Sequence, residues 1–502
     1  MSTTAQALER HPGEIWLLFI VEMWERFSYY GMRALLVFYT TQTFLFSDEK
    51  SYAIYGSYTA LVYLMPVFGG ILADRLLGYR KAVTAGALLM AMGHFCMAIE
   101  HEQVFYFALA LLIVGNGFFK SNMSTIVGRL YPEGDPRRDG GYTIFYVGVN
   151  LGAFLAPIAC GWVGDRYGWH WGFSLAGFGM VAGLLIFLAY QHRLKGIAEP
   201  PDPQALRRPV LAGLNREMLI YIGGAAVIGL CWKLIQFTEP IVGKFNLVGI
   251  VLLVVGGGVF VAVFLSAFGH ERIVRHRLWV AMLLTGFSVL FWACFEQGGS
   301  SLNLFTDRNV NKVVLGEEIA APIMQAINPI YILLLGPVFA WLWVALDRRS
   351  LNPTIPLKFG LGLVLLGVGF AALFYGASIS TETGVVPLFW LLLFYLLYTA
   401  GELCLSPVGL SMISKLAPVN MGAMMMGVWY LSLAFANYAA GMIAQLTRIE
   451  TEPGAVVAEL AASETVMIYG NVFGQIALLI IGVGLFLSLV APLINRGTHG
   501  VT

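Results

Sequence analysis

The stretch EMWERFSYYGMR, residues 22–33, decides how this chain folds. It places four formal charges in the first long apolar segment, where a charge near the centre of a bilayer would cost roughly 2.5–3.5 kcal/mol. In a helix, Glu22, Arg26 and Arg33 recur at i, i+4 and i+11, with Tyr29 or Tyr30 between them, so they share one stripe. That stripe must face water or another polar environment.

The composition places the whole chain in a membrane. Of its 502 residues, 58% are hydrophobic and only 12% are charged, whereas about a quarter of a soluble globular protein is charged. The formal net charge of +1 gives no sign of a nucleic-acid partner. The first apolar segment holds its charges without a small-residue cleavage site, so we do not expect a cleaved signal peptide. The cysteines lie in apolar runs without metal-ligand spacing, so neither a metal nor a cofactor is expected.

Apolar windows of about 20 residues predict about fourteen transmembrane helices. The first six predicted spans cover 15–46, 52–73, 79–99, 103–130, 140–165 and 171–192. An inserted pair covers 215–238 and 246–268, and the last six cover 278–305, 323–346, 358–379, 386–416, 422–446 and 466–494. The predicted fold is therefore all-α and polytopic: a six-helix bundle in 1–192, linkers and the inserted pair in 193–275, and a second six-helix bundle in 276–502.

Basic residues in the loops support this count, because Lys and Arg accumulate on the cytoplasmic side of a membrane. Alternate loops carry Arg10; Arg75, Arg80 and Lys81; Arg129, Arg137 and Arg138; Arg193 to Arg216; Arg272, Arg275 and Arg277; Arg348 and Arg349; Lys415; and Arg496. The intervening loops carry few cations. Both termini are therefore predicted to be cytoplasmic, and His94, His101 and His170 are expected near the membrane interface.

The polar residues inside the spans repeat between the two halves. The first half has its charges in spans one and four, and span five holds Asn150; the second half has Glu296, Glu402 and Asn437 in the equivalent spans. Internal duplication around a central site is typical of secondary transporters. The first-half span charges sum to a small positive charge and the second-half charges to a negative one, which would suit a zwitterion with separated ends.

Several motifs then identify a family. The loop GGILADRLLGYRK, residues 69–81, resembles the loop between the second and third helices of the major facilitator superfamily. Within that superfamily, residues 22–31 resemble the first-helix signature of the proton-dependent oligopeptide transporter family, bacterial members of which have a similar inserted helix pair. Further matches are Phe119-Lys120-x-Asn122, Phe145-Tyr146-x-x-x-Asn150, Phe291-Trp292-x-x-x-Glu296-Gln297, Glu402-x-x-x-Ser406-Pro407, Trp429 and Asn437. The family usually has a proline where this chain has Ser121.

The resemblance implies a major facilitator fold and a role for each of these residues. The carboxylate of a di- or tripeptide would bind Arg33 and Lys120, and its ammonium would bind Glu402. Asp74, Arg75 and Arg80 would hold the cytoplasmic helix ends together in one state. The remaining substrate-binding candidates are Tyr29, Tyr30, Tyr63, Asn150, Asn328, Trp292, Trp429 and Ser406.

Proton coupling is assigned to Glu296, because a carboxyl in a partly dry cavity is readily neutralised. Its partner would be Arg33, and Glu22, Glu25 and Arg26 would form a second ionic network with Lys120. The predicted function is a proton-coupled peptide symporter of the inner membrane that works by alternating access. A carrier of another anion or a drug is the alternative; an enzyme is disfavoured because no nucleophile–base or metal pattern lies in the spans, and a channel because the charges are opposed in sign.

Overall fold

The computed structural model describes residues 10–132, 135, 137–211, 213–418, 421–449 and 461–500. Almost all of them are helical. The helices are α1 Glu14–Phe38, α2 Asp48–Leu72, α3 Tyr79–Met97, α4 Glu102–Arg129, α5 Arg138–Tyr167, α6 Trp169–Tyr190, α7 Pro203–Arg207, α8 Arg216–Gln236, α9 Leu247–Ser266, α10 Arg272–Phe295, α11 Ser301–Asn309, α12 Ile327–Asp347, α13 Ile355–Ser378, α14 Leu388–Leu416, α15 Gly422–Ala444 and α16 Ala462–Arg496. Two antiparallel hairpins pair β1 Pro209–Leu211 with β2 Leu214–Asn215, and β3 Val313–Val314 with β4 Glu317–Glu318.

The prediction of an all-helical polytopic chain is confirmed. Every predicted span coincides with a long helix. The ends lie within a few residues of the predicted ones except in the first span, where α1 ends at Phe38 and a π-helical turn continues to Thr43, and in the ninth span, which is described below. Among the described residues, eleven helical segments are long and apolar enough to cross a membrane. Helix α1 is outside that set and carries the four charges of residues 22–33.

Two local features differ from the sequence expectation. Helix α10 begins at Arg272, so the basic residues expected as a break form its first turns. The same predicted span is interrupted at a short 3₁₀ turn, Glu296–Gly299, before α11 starts. Two consecutive glycines in that turn weaken the helix, and Ser300 then departs from helical backbone geometry at φ −126° and ψ −101°. Glu296 therefore lies at a helix end inside an apolar span.

The chain divides into two compact units. The first contains residues up to Leu36 and Leu61–Gln236. In it, α1 runs close to α5: a Cβ built on Gly152 would lie 2.3 Å from the backbone oxygen of Met23, so only glycine fits there. His94 of α3, expected near the interface, is instead fully buried.

The second unit contains Val37–Ala60 and the chain from Phe237 onward. Helix α13 packs against both α14 and α16, and α9 packs on α15. Asn246, at the start of α9, is buried and ties three elements together. Its amide nitrogen donates to Ser57 Oγ at 3.1 Å, and its Oδ1 accepts from the Tyr438 hydroxyl at 2.9 Å. The proposed domain boundaries at 192 and 275 stay a prediction.

Candidate functional site

In the first unit, α1 carries a buried ionic cluster. Arg26 Nε donates to Glu22 Oε1 at 2.7 Å and lies 3.0 Å from Glu25 Oε2. Asn116 of α4 donates its amide to Glu25 Oε1 at 3.3 Å. All four residues are buried. Pairing with Arg26 compensates the cost of removing these carboxylates from water, so Glu22, Glu25 and Arg26 form one buried ionic cluster.

Lys120 of α4 lies over an aromatic ring, with Nζ 3.8 Å from the centroid of Tyr63 on α2. A cation over a ring face is stabilised by the ring's quadrupole. The next residue, Ser121, donates its hydroxyl to the backbone oxygen of Pro66 at 3.0 Å. Helix α4 continues unbroken through both positions. The family's usual proline is thus replaced by a side chain that joins α4 to α2.

The other candidates of the first unit lie on α1 and α5. Arg33 and Tyr29 are buried, and the rings of Tyr29 and Tyr30 meet edge to face at 5.2 Å. Asn150 is also buried, and its amide donates to the Tyr146 backbone oxygen one turn earlier at 2.9 Å.

In the second unit, Glu402 of α14 is oriented by neutral groups. Asn328 of α12 donates its amide nitrogen to Glu402 Oε2 at 3.0 Å and to Thr399 Oγ1 at 3.0 Å. Thr399 in turn donates to the Tyr395 backbone oxygen. Among the described residues, no Lys, Arg or His nitrogen lies within 4.0 Å of the Glu402 carboxylate. A carboxylate held by neutral partners can still accept a cation.

Aromatic and polar candidates accompany Glu402 in this unit. Trp429 of α15 is buried, Trp292 and Ser406 are partly buried, and Glu296 is buried. The Trp292 indole nitrogen has no hydrogen-bond partner among the described residues. Gln297 is structural: its amide donates to the backbone oxygen of Ala440 at 3.0 Å and so joins α15 to the turn after α10.

The structure also shows an ion pair that the sequence analysis missed. Arg308 of α11 binds Asp48 through both guanidinium nitrogens, at 2.6 and 2.9 Å, and donates to the Tyr469 hydroxyl at 2.8 Å. The Asp48 side chain is only 2% exposed. The opposite charges of Asp48 and Arg308 could have indicated this ion pair, but the predicted span boundaries placed the aspartate in a loop.

The loop between α2 and α3 is held by its own neighbours. Asp74 accepts a hydrogen bond from the Tyr79 hydroxyl, and the Arg80 guanidinium lies 3.5 Å from Glu199. Gly78 adopts φ +77°, and a Cβ there would collide with Pro200. Arg80 also donates its backbone N–H to Ala198. The segment after α6, expected to be a linker, is therefore docked on this loop, while Asp74 and Arg75 are exposed.

Charged side chains buried in apolar helices mark the transport pathways of membrane proteins. Comparison with known proteins identifies the transporter class. A profile of the POT family (PTR2) matches residues 80–460. The peptide transporter YePEPT of Yersinia enterocolitica is 37% identical over 86% of this chain and 87% of its own length. The dipeptide and tripeptide permease B of Edwardsiella piscicida is 32% identical over 99% and 98%.

Comparison with solved structures gives the same family. A crystal structure of the peptide transporter POT in complex with alafosfalin is 36% identical and superposes with a TM-score of 0.81, covering 98% of this chain and 96% of that one. A POT family transporter in complex with 5-aminolevulinic acid is 30% identical, with a TM-score of 0.80 and coverage of 96% and 97%.

The chain belongs to the POT family of peptide transporters. The predicted family and the major facilitator fold are therefore confirmed, as is the prediction that the protein is a multi-pass membrane transporter rather than an enzyme.

Proposed function

We propose that the protein is a proton-coupled symporter that imports di- and tripeptides across the inner membrane by alternating access, with both termini in the cytoplasm. The observation that carries the proposal is Glu402, a carboxylate in an apolar helix bound by the neutral amide of Asn328. A carboxylate that is partly removed from water is stabilised by a cationic partner. The peptide ammonium would supply that charge.

The peptide carboxylate would bind Arg33 and Lys120. The cation of Lys120 lies against the Tyr63 ring, which restricts its position. Two groups of opposite charge would bind the charged termini of a peptide, and the site would then select little between peptide side chains. The relatives named as peptide transporter and as dipeptide and tripeptide permease support this substrate class.

The walls of the binding site would be aromatic and amide side chains. Tyr29, Tyr30, Tyr63, Trp292 and Trp429 would contact the peptide, Asn150, Asn328 and Ser406 would offer hydrogen bonds, and Asp74, Arg75 and Arg80 would gate the cytoplasmic side. Trp292 supports this assignment, because its indole N–H is left without an acceptor among the described residues. Buried donors are normally satisfied, and an unsatisfied one can serve a ligand.

Proton coupling would run through Glu296. This carboxyl is buried at a helix end, where protonation changes the charge of an otherwise apolar segment. Protonation would release Arg33 for the peptide, while Glu22, Glu25 and Arg26 would support Lys120 as a second ionic group.

Uptake into proteoliposomes under an inward proton gradient tests the substrate poles. We expect a labelled dipeptide to accumulate, and its des-amino analogue and its amide to compete poorly because each lacks one charged end.

Glu402→Gln should raise the KM for the dipeptide roughly 10- to 100-fold, the equivalent of one lost charge-assisted hydrogen bond. It should also bring the affinity for the dipeptide closer to the affinity for its des-amino analogue, because the ammonium no longer has its carboxylate partner. Glu382→Gln, at an exposed position, is the matched control. Equal competition by all three compounds would refute the two-pole site, and accumulation of an unrelated anion or drug instead of peptides would support the alternative cargo.

The proton site is tested separately. Glu296→Gln should abolish gradient-driven accumulation and preserve exchange of labelled for unlabelled peptide, since the neutral amide resembles the protonated carboxyl. Accumulation that persists in this variant would show that the proton is carried elsewhere.

A further inference from the structure

A groove on the first unit lies between α3, α6 and α8, with Phe118 of α4 as its floor. It has a volume of about 830 Å³ and is lined by Arg80, Lys81, Thr84, Ala85, Leu88, Leu89, Phe118, Leu188, Gln191, His192, Tyr221, Gly224, Ala225 and Ile228. Such a volume is in the range of small-molecule sites. None of the proposed transport steps uses this groove as a binding site.

The groove is a built feature, because α8 is fixed at three points. At its start, Glu217 accepts from Lys81 Nζ at 2.5 Å. In its middle, Gly224 approaches the Phe118 ring, so that a Cβ there would lie 3.6 Å from it. Near its end, the Trp232 indole donates to the Gln103 backbone oxygen at 3.2 Å. The helix is thus held near α4 without filling the space beside α3.

The two ends of the groove differ in polarity. Helices α3 and α8 begin, and α6 ends, at the end that carries Arg80, Lys81, Gln191 and His192. Further along, the walls are aliphatic, and Leu88 and Leu188 are 51% and 41% exposed at positions that face the bilayer in a membrane-spanning chain. This arrangement matches an amphipathic molecule with an anionic head and a hydrocarbon tail.

The charges at the polar end favour an anion. The formally charged side chains that line the groove are Arg80 and Lys81, and no carboxylate of a described residue lines it. Glu199 lies 3.5 Å from Arg80 and Glu217 lies 2.5 Å from Lys81, but both are outside the lining. A guanidinium has five N–H donors and an ammonium has three, so each cation keeps donors beyond its carboxylate partner. Basic pockets between transmembrane helices bind anionic lipid head groups.

We propose that this groove binds one anionic phospholipid of the surrounding bilayer, with its phosphate at Arg80 and Lys81 and an acyl chain along Leu88, Leu89 and Ile228. The lipid would fill the space that α8 leaves beside α3. The inserted helix then has a role as one wall of a lipid site.

Native mass spectrometry of the purified, delipidated full-length protein tests the proposal. Phosphatidylglycerol and phosphatidylethanolamine with identical acyl chains are titrated separately. We expect the first phosphatidylglycerol to bind at least about fivefold more tightly, the effect of roughly one basic side chain near an anionic head group. Equal first affinities for the two lipids would overturn the head-group assignment.

A matched pair of variants tests the position. Ala225→Trp places an indole in the groove, whereas Ala226→Trp adds the same group at the next exposed position of α8, outside the lining. We expect the first variant to lose the tight phosphatidylglycerol step and the second to retain it. Tight binding that survives in Ala225→Trp would place the lipid elsewhere.

A charge variant covers the case in which the tryptophan disturbs folding. Lys81→Gln combined with Glu217→Gln removes the cation together with its partner, so neither charge is left unpaired. This double variant should reduce the preference for phosphatidylglycerol about fivefold, and Lys195→Gln, an exposed cation outside the groove, should leave it unchanged. An unchanged preference in the double variant would refute the phosphate site.

Discussion

The ion pair between Asp48 and Arg308 makes a quantitative stability prediction. The Asp48 side chain is 2% exposed and the Arg308 side chain is 17% exposed, and two charge-assisted hydrogen bonds join them. In Asp48→Asn, the amide oxygen can keep one of these bonds, but the amide N–H₂ faces a second donor. Losing one charge-assisted bond and leaving a cation without its counter-charge should cost about 2–3 kcal/mol in the free energy of unfolding.

This cost lies below the roughly 3–5 kcal/mol typical of a broken buried ion pair, because Arg308 keeps its bond to the Tyr469 hydroxyl. Equilibrium unfolding in detergent micelles, followed by tryptophan fluorescence, measures the change. Asp48→Asn combined with Arg308→Gln should recover part of the loss, since no uncompensated charge remains.

Glu49→Gln is the matched control. Glu49 is adjacent in sequence and pairs with Arg448 at 3.4 Å, but both side chains are about half exposed. Exposed pairs contribute about 0–1 kcal/mol, so this variant should unfold nearly as the parent does. If Asp48→Asn costs no more than Glu49→Gln, burial does not set the strength of the Asp48 pair and the reasoning is wrong.

Three further predictions use other contacts. Ser121→Ala removes the bond to the Pro66 carbonyl and should cost about 1 kcal/mol in the same unfolding assay; an unchanged unfolding free energy would show that the bond contributes nothing. Asn328→Ala leaves Glu402 without its amide donor and should raise the KM for dipeptide uptake about 3- to 10-fold, and an unaltered KM would contradict an orienting role. Arg137 lowers the pKa of Asp135 to about 2. The stability contributed by this carboxylate is therefore complete above about pH 4 and is lost as the pH falls through about 2. Asp135→Asn should leave the pH profile of uptake above about pH 4 unshifted.

The helices could be predicted from the sequence because long apolar windows between polar turns are sufficient to define membrane spans. The residues at which the helices begin and end could be predicted less closely. Helix α10 starts in a basic segment, Arg272–Arg277, since charged residues at a helix end can remain outside the apolar region while the backbone is already helical. The break at Glu296–Gly299 was not predicted, because hydropathy does not register backbone conformation.

The site residues could be named from motifs, but their partners could not. The carboxylate of Glu402 is oriented by Asn328, which is 74 residues away in sequence, and no one-dimensional pattern connects the two. Asp48 was missed because the predicted spans placed it in a loop and because its partner Arg308 is 260 residues away. For His94, the position in the span did not predict burial. The residue lies near the end of its span and yet is fully buried, and neither ring nitrogen has a hydrogen-bond partner among the described residues.

The docked segment after α6 decides where this chain tolerates an insertion. Ala198, Glu199 and Pro200 contact the loop between α2 and α3, whereas Gly196 has no atom within 4 Å of an added Cβ. Gly196 itself adopts φ +87° and donates its backbone N–H to Glu199 Oε2 at 2.6 Å, so a fluorescent reporter inserted there, or three residues later, would disturb the carboxylate that contacts Arg80. An attachment point for following transport in a living cell therefore has to lie outside residues 196–200, a stretch that resembles a plain linker in the sequence.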